Sequence, residues 1–151
     1  MITGFGPRDL REAGTGHDAR FNPHHVPGAG GRGQGAEALD PYASTFPGFK
    51  ILAREDYGAD DMGPAGTIKL ATIEFNGAIL QVIDSPIPHA FELIPSMSLF
   101  VDCDSEDELT RVFATLSEGG EVMMPLDNYG FSQRFGWCRD RFGLSWRINL
   151  P

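Results

Sequence analysis

The stretch that decides the fold is Gly136-Trp137-Cys138-Arg139-Asp140-Arg141-Phe142-Gly143-Leu144-Ser145-Trp146-Arg147-Ile148. Two strand-like runs, 135–139 and 144–150, flank its middle and read as the closing hairpin of the chain. Alternation along the second run puts Trp146 and Arg147 on opposite faces. If Arg147 looks into a cleft, Trp146 packs beneath a helix. An earlier hairpin superposes on this one when Gly77 is laid on Gly143, so that Leu80-Gln81-Val82 falls on Trp146-Arg147-Ile148. It joins runs 67–75 and 78–83 through Asn76-Gly77, a strong short-range hairpin signal.

Each hairpin closes the same order of elements: strand, helix, three strands. In the first copy Leu39, Tyr42, Ala43 and Phe46 make a helical stripe. With Asp40 as N-cap and Pro41 as the first helical residue, a short helix ends at Pro47-Gly48, and a strand follows at 49–54. In the second copy a strand at 97–101 precedes the stripe Leu109, Val112, Phe113 and Leu116. Ser105 with Glu108 forms a capping box for that helix, and Gly119-Gly120 ends it before a strand at 121–125. The fold class expected is α+β: two βαβββ modules whose curved mixed sheets surround a cleft. Module one runs to about residue 84, residues 85–95 link, and module two occupies 96–151. Exposed strand edges on an open sheet predict a homodimer.

The 151 residues carry a net charge of −9, and a pI near 4.7 argues against binding a phosphate backbone, so no nucleic-acid partner is expected. No apolar run approaches the roughly 20 residues that span a bilayer, and Arg8, Asp9, Arg11 and Glu12 sit where a signal peptide needs apolar residues. Two cysteines, Cys103 and Cys138, build no disulfide scaffold, so a reducing cytoplasm is the expected compartment. Residues 1–35 hold nine of the 19 glycines and read as a largely irregular segment, with one short extended piece at 21–26 between the constraints of Pro23 and Pro27. Gly28-Ala29-Gly30-Gly31-Arg32-Gly33 fits GxGxxG, but with no strand before it and no long helix after it the run reads as loop.

The closing stretch resembles that of PhnB-like proteins of the vicinal oxygen chelate superfamily, which includes glyoxalases, bleomycin-resistance proteins and extradiol dioxygenases. Ser98-Leu99-Phe100-Val101 before an acidic helix start is similar to the family's second-module opening. Ala36-Glu37-Ala38-Leu39, Tyr42 and Phe46-Pro47-Gly48 look like its first helix and exit, and Tyr57-Gly58 with Gly63-Pro64-Ala65-Gly66 match the loop before the first hairpin. The resemblance covers residues 36–151. Some members carry the name 3-demethylubiquinone 3-methyltransferase, although nothing in these residues supports methyl transfer. Where members open with an apolar strand, this chain has Asn22-Pro23-His24-His25-Val26-Pro27.

The resemblance implies four inward-facing positions that hold a divalent metal in the superfamily's enzymes. Here they fall on His24 or His25, on Gln81, on Ser96 and on Arg147. Only a histidine is a good ligand, and the permanent cation of Arg147 opposes a dication in any dry pocket. No cofactor is expected, and His24 and His25 remain the weak metal candidates. Arg147 instead suits a carboxylate or phosphonate, with Gln81 and Ser98 adding hydrogen bonds and Trp137 an aromatic wall. The plainer alternative pairs Arg147 with an acid such as Asp140 or Glu74, and Trp137 divides evenly between wall and core. His89 lies in the linker and is assigned no catalytic role, Cys103 reads as a small buried hydrophobe, and Cys138 beside Arg139 and Trp137 invites a lowered pKa, though no nearby His suggests an activated nucleophile. The reading is a small-molecule-binding protein without an intact metal site. Whether it is an enzyme stays open: a metal-dependent lyase, isomerase or dioxygenase using His24 or His25 is one alternative, a structural dimer module with a self-filled cleft another.

Overall fold

Asn76 and Gly77 both take positive φ, 49° and 85°, so their turn twists with the strands that it joins. These strands belong to the three-stranded antiparallel sheet β1(Phe49–Asp56)-β2(Ile68–Phe75)-β3(Ala78–Val82). The computed structural model describes residues 33–89, 93 and 95–151. A second sheet has the order β4(Leu99–Asp102)-β7(Ser145–Leu150)-β6(Arg134–Arg139)-β5(Glu121–Asp127), with β4 parallel to β7 and the other pairs antiparallel. Helix α1(Gln34–Thr45) precedes the first sheet, and α2(Glu106–Ser117) lies between β4 and β5. Module two thus has its full βαβββ order; the strand expected at 21–26 lies outside the described residues.

The second helix starts as its capping box predicts. Ser105 accepts from the Glu108 backbone N–H at 3.2 Å, while the Glu108 carboxylate reaches back to the N–H of Asp104 rather than that of Ser105. Acidic residues fill its first turn, where they complement the helix dipole. The first helix differs from the Asp40–Pro41 start: it begins at Gln34, and Pro41 lies inside it. An internal proline costs about 3 kcal/mol. Burial of Ala38, Leu39 and Tyr42 on one face offsets it. Asp84 also anchors the early start, accepting from the N–H groups of Gly35 (2.8 Å) and Ala36 (3.2 Å) at the helix N-terminus and of Ile68 (2.9 Å) on β2. A Cβ on Gly35 would stand 2.7 Å from the Asp84 carboxylate oxygen, so glycine permits this cap.

One core runs beneath both helices. Trp146, fully buried, stacks on Phe46 of the first half (centroids 5.2 Å) and meets Tyr42 edge-on at 5.2 Å. The other helix approaches β6 at Gly136, where a Cβ would run within 2.5 Å of the Phe113 ring. Asp140, 5% exposed, accepts four hydrogen bonds: from the Tyr42 hydroxyl at 2.6 Å, Trp146 Nε1 at 2.7 Å, and the N–H groups of Phe142 and Leu144 at 2.9 and 3.0 Å. Replacing Asp140 by Ala orphans the buried Tyr42 and Trp146 donors and is expected to lower unfolding free energy by on the order of 3 kcal/mol, read by urea titration.

Burial, and after it the neighbouring Asp140, pushes the Tyr42 phenol well above its ordinary value of 10.0. The unfolded chain therefore loses this proton as pH passes about 10 while the folded chain keeps it, so stability falls above that pH. The expected slope from this group approaches about 1.4 kcal/mol per pH unit. Tyr42→Phe removes that share of the slope in denaturation curves taken between about pH 9 and about pH 11.5, which bracket the ordinary phenol value.

Candidate functional site

Strand alternation sorts β7 cleanly. Trp146 and Ile148 turn under the helices and are fully buried, whereas Ser145, Arg147 and Asn149 share the face turned away from the helices. Register brings partners to that outward face: Arg147 lies opposite Phe100 of β4 and Trp137 of β6, and Asn149 opposite Asp102 and Phe135. The Arg147 guanidinium sits over the Trp137 ring, 4.8 Å from its centroid. Trp137 in turn donates its Nε1–H to Ser145 Oγ at 2.8 Å, and the Ser98 hydroxyl shares a 2.8 Å hydrogen bond with the same oxygen. Arg147, Trp137 and Ser98 are thereby brought together. Ser145, buried at the centre of this network, was absent from the expected set, because a serine flanked by Leu144 and Trp146 carries no signal of its own.

Gln81 does not join them. It stands on β3 of the other sheet, paired in register with Thr72, and no hydrogen bond links it to Arg147. It does lie on the face away from the helices, since its neighbours Leu80 and Val82 line the helix-side cavity with Leu39 and Trp146. That cavity, about 60 Å³, has almost wholly apolar walls and offers no charged group to an anion.

The expected pairing of Arg147 with an acid is not formed. Asp140 is spent on its four donors in the core, and Glu74 pairs with Lys50 at 3.5 Å. Among the described residues Arg147 has no ion pair at all. Ser96 misses the position implied for it, because β4 begins only at Leu99 and Ser96 is exposed in the turn before it. His24 and His25 lie outside the described residues, and His89, which is exposed, shares a 2.8 Å hydrogen bond with Ser85 Oγ.

The described residues at the positions implied for a metal are poor ligands for one. Gln81 is a neutral donor on one sheet, Arg147 a fixed cation on the other, and no group of three or more His, Cys, Asp or Glu gathers among the described residues. These positions do not fit a divalent ion. The glycine-rich run is corrected in one respect: a helix does follow it, from Gln34. The anion position at that N-terminus is already taken by the Asp84 carboxylate. Neither cysteine is activated, for burial pushes Cys103 up to about 11 and Cys138 up to about 12, the reverse of the lowering expected beside Arg139.

With this geometry in hand, comparisons place the chain among known proteins. The family model described as 3-demethylubiquinone-9 3-methyltransferase matches residues 32–149. Among solved structures the chain is similar to the PhnB protein from Bacillus cereus, at 38% identity over 80% of this chain and 93% of that one, with a TM-score of 0.76. It is similar also to protein PA1353 from Pseudomonas aeruginosa, at 31% identity over 79% of this chain and 90% of that one, TM-score 0.67. A glyoxalase-related enzyme from Fulvimarina pelagi, 19% identical over 83% of this chain and 84% of that one, shares the fold with a TM-score of 0.51. No curated protein matches. By the reach of the family match and the likeness to the PhnB protein, the chain belongs to the PhnB-like 3-demethylubiquinone-9 3-methyltransferase family, and its fold is glyoxalase-like.

Proposed function

We propose that this protein binds a small anion, a carboxylate or phosphonate, at the outward face of its second sheet, and does so without a resident metal. One observation carries the reading: a half-buried guanidinium with no acidic partner among the described residues, in a chain of 21 acidic and 12 basic residues. Trp137 holds Arg147 by its ring, which leaves the N–H fork unspent for a bidentate acid. Ser98 and Ser145 stand beside it as hydroxyl partners. Gln81 enters only if an occupant is large enough to reach across to the other sheet. The family's methyl-transfer name has no counterpart in this reading, which concerns binding and assigns no reaction.

The test is thermal melting with millimolar acetate, benzoate, methylphosphonate and phenylphosphonate. A ligand at ten times its Kd stabilises the fold by about 1.4 kcal/mol, a rise of roughly 3–6 °C for a domain of this size. Arg147→Ala should abolish the rise, and Arg147→Lys, which keeps charge but loses the fork, should leave only part of it. No rise with any of the four, or a rise that survives Arg147→Ala, sinks the proposal. The first outcome would favour the structural alternative, whose support is that Tyr129 and Phe131 already fold over Phe135 on this face.

The same protein is proposed to act as a homodimer in a reducing cytoplasm. Strand β1 supports the first part: it is the outer strand of its sheet and is exposed from Lys50 to Asp56, including Ile51 and Leu52. The free, buried thiols of Cys103 and Cys138 support the second. Sedimentation equilibrium should give twice the 16.5 kDa chain mass, and Leu52→Glu should shift it toward the single chain; a wild-type mass of one chain at micromolar concentration overturns the dimer.

A further inference from the structure

The same face holds a buried acceptor that nothing among the described residues satisfies. Asn149 is 8% exposed and donates its side-chain N–H to Asp102 Oδ1 at 2.7 Å. Only the amide NH2 can face a carboxylate, so this bond fixes which way the amide points. Its Oδ1 is buried without a hydrogen-bond partner. A buried carbonyl oxygen left so costs about 1–3 kcal/mol, and the protein retains it two residues from Arg147 on the same strand face.

The positions that register places beside Asn149 and Arg147 include aromatic ones. Phe135 lies opposite Asn149 on β6, and Phe100, beside Arg147 on β4, approaches Phe135 with ring centroids 6.2 Å apart. Phe131 meets Phe135 edge-on at 5.1 Å. Phe135 is buried beneath this cluster, yet Phe100 and Phe131 are 56% and 63% exposed, so they have room to turn aside. Along one strand face, then, stand a fork for an acid, a group of rings and a lone acceptor. Positions i and i+2 of a strand are separated by about 6.7 Å, the scale of the distance between para substituents on a benzene ring.

We infer that the occupant of the Arg147 face is a flat aromatic acid bearing an O–H or N–H donor on the ring position opposite its acid group. Its acid engages Arg147, its ring lies among Phe100 and Phe131, and its donor satisfies Asn149 Oδ1. This rests on the anion reading above and narrows it to a chemical class. Aliphatic acids gain only the first of the three contacts. Acids whose para substituent only accepts, such as a methoxy group, meet the Asn149 oxygen with another oxygen and gain nothing from it.

Isothermal titration with benzoate, 4-hydroxybenzoate and 4-methoxybenzoate separates these terms on the wild-type protein alone. The hydroxy acid is expected to bind about 3- to 10-fold more tightly than benzoate, the worth of one hydrogen bond, and the methoxy acid no more tightly than benzoate. In Asn149→Leu, which keeps the branched outline and removes the acceptor together with the donor to Asp102, the ratio of hydroxy acid to benzoate should fall to about one. If hydroxy and methoxy acids bind alike, or if the ratio survives Asn149→Leu, the inference is overturned and the anion reading stands. If none of the three binds, the anion reading itself has failed and this inference with it. Should Asn149→Leu not fold, the three wild-type affinities still decide the matter.

Discussion

The arrangement of this protein hangs on one carboxylate. Asp140 leaves β6 at its end, turns inward, and collects donors from α1 in the first half and from the closing hairpin in the second. No lysine or arginine pairs with it among the described residues; its four neutral donors do the work that a cation would otherwise do. By holding the Trp146 indole against Tyr42 it decides which face of β7 is inside. With a strand period of two, that decision sends Arg147 outward, and Ser145 and Asn149 with it. The candidate site is therefore a consequence of a core hydrogen bond on the other side of the sheet.

Charge placement makes the same site stand out. Of the cations in the described residues, Lys50, Arg54, Lys69, Arg134 and Arg139 pair with acids, all at the surface, where such pairs contribute little. Arg111 donates to the Thr45 carbonyl, and Arg141 lies exposed over Phe142. Among the described residues Arg147 alone is half-buried, stacked on a ring and without an acidic partner. The acids, by contrast, are consumed locally, at the first turn of α2, at the start of α1 and in the surface pairs.

What the bare sequence made legible were features whose cause is local. Asn76-Gly77 takes the positive φ values that only a few residues tolerate, Ser105 caps the helix that follows it, and Trp146 and Arg147 face opposite ways because neighbours on a strand must. Features with a distant cause stayed hidden. Pro41 argued for a late helix start, since its local cost is visible while the burial that offsets it comes from elsewhere in the fold. Asp140 reads from sequence as an acid available to Arg147, because its side-chain donors sit 98 and six residues away. Ser145 and Asn149 bear no motif at all; they matter through the company that register gives them. Gln81 was matched to Arg147 by position in a repeated pattern, and the two do share a side of the molecule, but a repeat sets equivalence within each sheet and not contact between sheets.

The two tryptophans of this chain live in opposite worlds. Trp146 is fully buried with its indole N–H on a carboxylate, and Trp137 lies half-open beneath a guanidinium with its N–H on a hydroxyl. Their fluorescence is accordingly divided: the first answers to the integrity of the core, the second to whatever changes beside Arg147. Each single-tryptophan version would carry an internal optical probe, one blind to solvent and the other open to quenching, so that loss of the fold and events at the outer face could be followed separately in one molecule without any added label.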